Sequence, residues 1–147
     1  MDKKIKVLRI INRFNLGGPT YNATFLSAFL SDKFETKLIG GKHEEYEGES
    51  LFIPHKYGVE PQIIDSLQRE INFKNDKQAY QEIRQIIKDY KPDIVHTHAS
   101  KSGAIGRLAA SKENVPVIVH TFHGHVFHSY FGKLKTQFYK TIERRLA

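Results

Sequence analysis

The sequence predicts an α/β fold with an open, doubly wound and mostly parallel sheet, and two patterns support that prediction. Short β-branched runs alternate along the chain with segments whose apolar residues recur at helical spacing. Some runs, such as IIN at 10–12 and VIVHT at 117–121, are apolar at consecutive positions. Consecutive apolar positions indicate strands that are buried on both faces, which is typical of parallel sheets.

Strands are predicted at each β-branched run that is bounded by turn residues. The polar stretch GGKHEEYEGES at 40–50 is predicted to be an exposed loop. The predicted strands are 6–11, 36–39, 51–53, 94–97 and 117–121.

Helices are predicted where apolar residues fall on one side of a 3.6-residue period. The third stripe runs from Tyr80 to Tyr90 and ends before Pro92, because a helix rarely continues into a proline. Ser102 is predicted to cap the fourth helix. The predicted helices lie at 21–30, along the stripe Ile64, Leu67 and Ile71, at 80–90, from 102 towards 113, and after Gly132.

Length and composition limit the class of protein. A chain of 147 residues with 39% apolar side chains is long enough for one domain with a core and too short for two ordinary ones. With no cysteine, the chain has no disulfide and no cysteine-ligated zinc or iron–sulfur site, and a reducing compartment fits. No signal peptide or membrane-spanning run is recognisable, so we expect a cytoplasmic protein.

The glycine-containing loop after the first strand is a candidate ligand contact. Gly17 and Gly18 let the backbone approach a ligand, and Pro19 and Thr20 begin a helix whose free N–H groups favour an anion. The alternative is a tight turn without a ligand. The loop has neither the dinucleotide-binding fingerprint nor a P-loop motif, which weakens the oxidoreductase and P-loop interpretations.

Histidines follow two of the predicted strands and form the second candidate site. In a parallel sheet, the loops after both strands share one edge, so His98, His123 and His125 are expected to converge there. Their imidazoles could bond a sugar hydroxyl or a phosphate. His96 and His120 lie deeper and are expected to be buried and bonded to backbone. We expect no metal site, because a helical histidine spacing and a partner thiolate are both missing.

Basic and hydroxyl residues in the last third provide two weaker candidates. Ser100 and Lys101, at the predicted start of the fourth helix, could bind an anion, or they could be a capped helix start with a solvated lysine. Residues 101–147 hold eight basic and two acidic side chains. Their last helix could lie on a membrane surface, although ordinary packing on the sheet is favoured. Nucleic-acid binding is not favoured, because no aromatic–basic RNA-binding motif is present.

Taken in order, these motifs resemble the N-terminal domain of family 4 glycosyltransferases. No single motif is decisive, but the ordered set covers nearly the whole chain. The matching segments are RIIN at 9–12, GGPT at 17–20, PDIVHTH at 92–98, KSG at 101–103, GRLAA at 106–110, VHTFHGH at 119–125 and IERRLA at 142–147.

The resemblance implies one Rossmann-like half of a GT-B fold, with residues 1–147 as a single acceptor-side domain that lacks its last strand or strands. It implies a retaining transferase that moves a sugar from a nucleotide-sugar to a polysaccharide or glycolipid acceptor without a metal or cofactor. It places Gly17 and Gly18 near the donor diphosphate and acceptor, and His123 against the transferred sugar.

The family's acidic pair and phosphate-binding basic residues would belong to a donor domain outside this sequence. We therefore expect the chain to be inactive alone. The alternative is a truncated, non-catalytic module that binds a sugar or a partner chain. Peripheral contact with the inner face of a membrane is a further expectation for a lipid-linked acceptor.

Overall fold

The computed structural model describes residues 3–124 and 132–146, in which strands and helices alternate. The expected strand–helix order is confirmed for most of the chain. The elements are β1 Ile5–Arg13, α1 Gly18–Ala28, β2 Phe34–Gly41, α2 Phe52–Lys56, β3 Gln62–Ile63, α3 Phe73–Tyr90, β4 Ile94–His98, α4 Ser100–Lys112, β5 Val117–Thr121 and α5 Lys133–Leu146.

The sheet has the strand order β3-β2-β1-β4-β5, and each of its neighbouring pairs is parallel. The order reverses direction between β1 and β4, because the chain first builds outward through β2 and β3 and then returns to the other side of β1. This is the predicted open, doubly wound sheet. Its switch point lies where the loops after β1 and β4 diverge, which is where such sheets bind ligands.

Helices cover both faces of the sheet, as the double winding requires. On one face, Leu8, Ile10 and Val95 are completely buried in a cluster that includes residues of α3 and α4. On the opposite face, Ile11 and Leu38 belong to a second buried cluster that includes Ala23 of α1. The alternation of side chains along β1 therefore supplies both cores.

Two predicted elements are wrong. Residues 51–53, predicted as a strand, begin the short helix α2, and the third strand is instead Gln62–Ile63. A three-residue apolar run followed by Pro54 is too short to reveal its period, and proline is compatible with a first helical turn. The stripe of Ile64, Leu67 and Ile71 is not helical, since it lies in the segment between β3 and α3.

β5 is less buried than its apolar sequence predicts. Val117, Ile118 and Val119 are 46, 38 and 41% exposed, because β5 is an edge of this sheet and pairs only with β4 in the part of the chain that is described. The helix α5 contacts α4, and Arg107 Nη2 donates to Glu143 Oε2 at 2.7 Å. No helix among the described residues is both long and apolar enough to span a membrane.

Candidate functional site

The candidate site is the rim formed by the loops that follow β1, β4 and β5. These strands are adjacent and parallel, so their carboxyl ends share one edge of the sheet. The structure thereby brings together the glycine loop, the start of α4 and the residues after β5. We use the word rim for these three segments only.

The glycines of the first loop are not required by the packing of the chain. Gly17 has φ 175° and ψ 171°, an extended conformation that any residue adopts. A Cβ at Gly17 would meet its nearest neighbour, Pro19 Cδ, at 3.8 Å, and a Cβ at Gly18 would meet nothing within 4 Å. Within residues 3–124 and 132–146, both positions thus face open space.

Two other glycines in the rim and its helix show the contrast. A Cβ at Gly103 would lie 2.4 Å from the His120 ring, and one at Gly106 would lie 2.7 Å from Thr97 Cγ2. Those residues must be glycine because α4 lies directly on the sheet. No such contact exists at 17 and 18 among the described residues, so packing does not require glycine there.

Thr20 is placed beneath the loop and not towards its open side. Its side chain is completely buried, and its hydroxyl donates to the carbonyl oxygen of Asn15 at 2.7 Å. Thr20 was expected to contact a ligand, but this geometry gives it the different task of holding the loop in shape.

The polar loop at 42–50 is tied to the glycine loop, which its composition did not indicate. Arg13 Nε and Nη2 donate to the two carboxylate oxygens of Glu47 at 2.6 and 2.5 Å. Asn15 forms an antiparallel bridge with Glu49. The hydrogen bond from Arg13 lowers the pKa of Glu47 to about 2, so Glu47 is ionised and both hydrogen bonds are intact at neutral pH. The two loops therefore form one wall.

His98 and His123 meet as the sequence predicted, although in different environments. His98 Nδ1 and His123 Nε2 are 2.9 Å apart, and the two rings stack with centroids separated by 5.1 Å. The side chain of His123 is half-buried, whereas His98 is completely buried. His98 was expected to bind substrate, but the structure places it behind His123. His125 lies outside the described residues.

The other two histidines are bonded to threonine hydroxyl groups. His96 Nε2 lies 2.8 Å from Thr121 Oγ1, and His120 Nδ1 lies 2.8 Å from Thr97 Oγ1. These bonds cross between β4 and β5 and hold their carboxyl ends together. The expectation of buried histidines is confirmed in part, since both are half-buried, but their partners are threonine side chains.

Burial keeps these imidazoles neutral. It lowers the pKa of His96 to about 4 and that of His98 to about 3, and nearby cationic groups add to both effects. Burial also lowers the pKa of His120 and His123. Among the residues that the structure describes, no group of three or more histidine and acidic side chains could hold a metal ion. The cluster is therefore suited to hydrogen bonding.

Lys101 is not available to a ligand in this structure. Its ammonium donates to the carbonyl oxygens of Gln68 and Glu70 and lies 2.5 Å from the carboxylate of Asp76. Two of its three donors are used by the carbonyl oxygens, and the carboxylate of Asp76 pairs with its charge. Lys101 thus connects the start of α4 to the segment before α3 and to the first turn of α3. These contacts do not support the expectation that Lys101 binds an anion.

Ser100 and Ser102 occupy the first turn of α4. Ser100 is the first residue of the helix and is half-buried at the rim. The hydroxyl of Ser102 donates to the carbonyl oxygen of His98 and is completely buried. Ser102 is therefore not the N-cap, because the helix begins two residues earlier with Ala99 as the capping residue.

Arg9 is a candidate that the sequence reasoning did not select. It lies in the middle of β1 in register with His96, and only 3% of it is exposed. Its Nε and Nη1 have no hydrogen-bond partner within residues 3–124 and 132–146. The sequence pattern that could have identified Arg9 is a charged residue next to the apolar run of its strand, in the segment RIIN.

A cavity of about 450 Å³ adjoins the wall on its other side. It is open to solvent and lies between the end of β2 and the segment after β3. Its lining is mostly polar: Lys42, His43, Glu44, Asp65, Leu67, Gln68 and Glu70.

Comparison with known proteins identifies a family and one curated relative. Residues 17–147 match the family described as Glycosyltransferase Family 4. A segment of 81 residues is 40% identical to the UDP-Gal:alpha-D-GlcNAc-diphosphoundecaprenol alpha-1,3-galactosyltransferase of Escherichia coli. That segment is 55% of this chain and 21% of the relative, so the chain corresponds to a minor part of the longer enzyme.

Solved structures share the fold at low sequence identity. A glycosyltransferase from Rickettsia africae superposes with a TM-score of 0.64 at 20% identity, over 95% of this chain and 34% of the other. A UDP-GlcNAc 2-epimerase from Methanocaldococcus jannaschii, solved in complex with UDP-GlcNAc and UDP, gives 0.68 at 12% identity, over 97% and 39%. These likenesses show the fold alone, namely one Rossmann-like half of a larger protein.

Proposed function

The chain belongs to glycosyltransferase family 4, and from this premise we propose that it is the acceptor-side part of a hexosyltransferase. The proposed reaction moves a sugar from a nucleotide-sugar, with retention at the anomeric carbon, to a polysaccharide or glycolipid acceptor. The name of the E. coli relative supports a diphosphate-linked lipid as the class of acceptor.

The observation that carries the proposal is the open space at Gly17 and Gly18. Neither glycine is needed for a left-handed backbone or for close packing among the described residues, so the backbone at both positions is open to a ligand. The N-terminus of α1 favours an anion through the helix dipole, while the N–H groups of Thr20 and Tyr21 donate to the Gly17 carbonyl oxygen. A diphosphate that carries a sugar has this chemistry.

His123 completes the proposed site from the far side of the rim. It is neutral at pH 7, half-buried and fixed by its bond to His98, so one ring nitrogen remains for a ligand. A neutral imidazole can hydrogen-bond a sugar hydroxyl without presenting a charge to it. The proposed role of His123 is to contact the transferred sugar in the cleft.

The decisive experiment compares two glycine variants that are equally harmless to the fold. A Cβ at Gly18 and a Cβ at Gly132 would each meet nothing within 4 Å, and both glycines precede or begin a helix. Calorimetry would measure binding of a short-chain analogue of a GlcNAc-diphosphate lipid. Gly18→Val should weaken binding at least about tenfold, the cost of losing roughly 1.4 kcal/mol.

Gly132→Val should bind the analogue as the wild type does, because Gly132 is not among the residues proposed to contact the ligand. Equal binding by Gly18→Val and the wild type would contradict the proposal. A thermal melt of each variant checks that neither glycine is structurally required.

The competing function is a non-catalytic module that binds a sugar or a partner chain. We propose that residues 1–147 alone transfer no sugar, since the family's acidic pair and phosphate-binding residues are not in this sequence. The purified chain should release no UDP from UDP-galactose in a coupled assay. Measurable release or transfer would contradict this point and would leave the assignment to the family unchanged.

Peripheral membrane contact is proposed for α5, whose first half has a mixed apolar and basic surface. Leu134 and Phe138 are 91 and 57% exposed, and Lys133 precedes them. The chain should sediment with anionic vesicles and not with neutral ones, because apolar area and cationic charge act together. The double variant Leu134→Ser, Phe138→Ser should stay in solution. Equal sedimentation of both proteins would rule out α5 as the contact.

A further inference from the structure

Four basic side chains form a continuous series across the sheet below the rim. Arg9 of β1 is in register with His96 of β4, and His98 is two residues further along the same face of β4. The rings of His96 and His98 are 4.2 Å apart, and His98 reaches His123 after β5. The series therefore runs from the centre of the sheet to the ligand side.

The bond between His98 and His123 requires one nitrogen to donate and the other to accept. The separation of 2.9 Å fits either direction, so the direction depends on where His98 carries its single proton. His98 is completely buried and neutral at pH 7. What surrounds its other nitrogen, Nε2, consequently decides the direction.

Burial contributes most to the lowered pKa of His98, and Arg9 is close enough for its positive charge to help lower it. In the order β1-β4-β5, His98 stands on the middle strand, with Arg9 on one neighbour and His123 beyond the other. The two nitrogens of an imidazole diverge, and Nδ1 is the one that faces His123. Nε2 is buried and has no hydrogen-bond partner in the described part of the chain, and the same holds for two nitrogens of Arg9.

A guanidinium has only donors and a permanent positive charge, so it favours a lone pair on any nitrogen that faces it. A proton on Nε2 of His98 would place two donors and no acceptor in the same buried space, which is costly. A proton on Nδ1 leaves Nε2 as an acceptor towards Arg9 and gives His123 a donor.

We propose that Arg9 and His98 are positioning residues that fix the proton of His123. His98 donates from Nδ1 to Nε2 of His123, so neutral His123 carries its own proton on Nδ1. The ligand-facing nitrogen of His123 is then a hydrogen-bond donor. It selects an acceptor atom, such as a sugar hydroxyl oxygen or a phosphate oxygen, and it cannot act as a general base there. Only the naming of this ligand rests on the proposed function.

The test is a nitrogen-15 NMR spectrum of the histidine side chains in the 147-residue chain at pH 7.5, which distinguishes protonated from unprotonated ring nitrogens. Single histidine variants assign the signals. The wild type should show His98 and His123 each protonated on Nδ1 and unprotonated on Nε2. A wild-type His98 protonated on Nε2 would overturn the inference without any variant.

Two substitutions of a basic residue of β1 by methionine test the role of Arg9. Arg9→Met removes the buried cation and should shift His98 towards the Nε2-protonated form. Lys6→Met, the matched control, removes a partly exposed cation near the start of β1 and should leave both tautomers unchanged. Unchanged tautomers in a folded Arg9→Met protein would also overturn the inference.

Two substitutions of His98 distinguish its hydrogen bond to His123 from its contribution to packing. His98→Asn keeps an N–H donor near the position of Nδ1, so His123 should remain protonated on Nδ1. His98→Leu removes that donor, so the proton of His123 should no longer be fixed on Nδ1. Adding the GlcNAc-diphosphate analogue should then shift the Nδ1 signal of wild-type His123. Correct tautomers with no shift on addition would contradict the proposed function and leave this inference standing.

Discussion

Ala99, the residue between β4 and α4, has a backbone conformation that suits glycine better than alanine. Its φ of 65° and ψ of 169° fall in a region where a Cβ is crowded. The conformation turns the chain directly from His98 into α4, with the Ala99 N–H donating to the Thr121 carbonyl oxygen at 3.1 Å. This turn leads the end of β4 straight into the first turn of α4.

Ala99→Gly should stabilise the chain by about 1 kcal/mol. Strain of this kind costs about 1–3 kcal/mol, and glycine removes it. The greater backbone entropy that glycine loses on folding cancels roughly 0.5–1 kcal/mol of this gain. Urea unfolding measures the difference. Ala104→Gly, inside the same helix, is the control and should destabilise by about 1 kcal/mol. If both variants lost the same stability, the turn would not be strained.

Single residues also show where sequence reasoning stopped. The meeting of His98 and His123 followed from parallel strands sharing an edge, so it could be predicted. The burial of His98, the tether of Lys101 and the role of Thr20 could not, because each depends on which neighbouring element covers the side chain. Arg9 was visible in the sequence, but only the register of β1 with β4 gives it meaning.

At the scale of the element, periodicity predicted the long helices and the central strands and failed on short ones. The helix α3 has 18 residues with a clear apolar stripe, and Asn72 caps it by accepting from the N–H groups of Lys74 and Asn75. The strand β3 has only two residues, and α2 has five. Elements that are only about one period long leave no repeat to detect, and tertiary contacts decide them.

The strands β4 and β5 should make the stability of the chain sensitive to mild acid. The four histidines at their ends have lowered pKa values, so they are neutral when folded and gain protons near pH 6.5 when unfolded. Their stabilisation is therefore present above pH 6.5 and is lost as the pH falls. His98 alone should contribute a slope of about 1.4 kcal/mol per pH unit between pH 6 and about 4.

Urea unfolding at pH 7.5, 6.0 and 5.0 measures that slope, and His98→Asn should reduce it. The carboxylate of Glu47 does not interfere, because its lowered pKa confers stability that is lost only below about pH 4.5. A flat profile from pH 7.5 to 5.0 would show that the histidines are accessible to protons in the folded chain.

At the scale of the whole molecule, β5 leaves an apolar strand at one edge of the sheet. Such an edge offers unpaired backbone groups and apolar side chains to other chains. The 147-residue chain should self-associate as its concentration rises, and Val119→Lys should reduce this, as sedimentation velocity would show. Ser111→Lys adds the same charge at an exposed site on α4 as a control. If the wild type stayed monomeric throughout the concentration series, the exposed edge at β5 would not promote self-association.

The chain as a whole is proposed to form one side of a larger site. The sheet brings the open glycine loop and His123 to a common rim, and the family supplies the chemical context. The matched structures are two to three times longer than this chain, since it covers 34–39% of those compared above. The residues that read the nucleotide-sugar are therefore proposed to lie in the part that this sequence does not contain.

The most direct test of the account is an amide NMR titration of the wild-type chain with two ligands. The GlcNAc-diphosphate analogue should shift the amide signals of Gly17, Gly18 and His123, because the two glycines line the proposed acceptor side of the rim and His123 lies where the acceptor would meet the transferred sugar. UDP-galactose alone should bind more weakly, since its proposed site needs a second domain. If the analogue left those three signals unchanged, or if UDP-galactose bound the rim more tightly than the analogue, the chain would not be an acceptor-side domain.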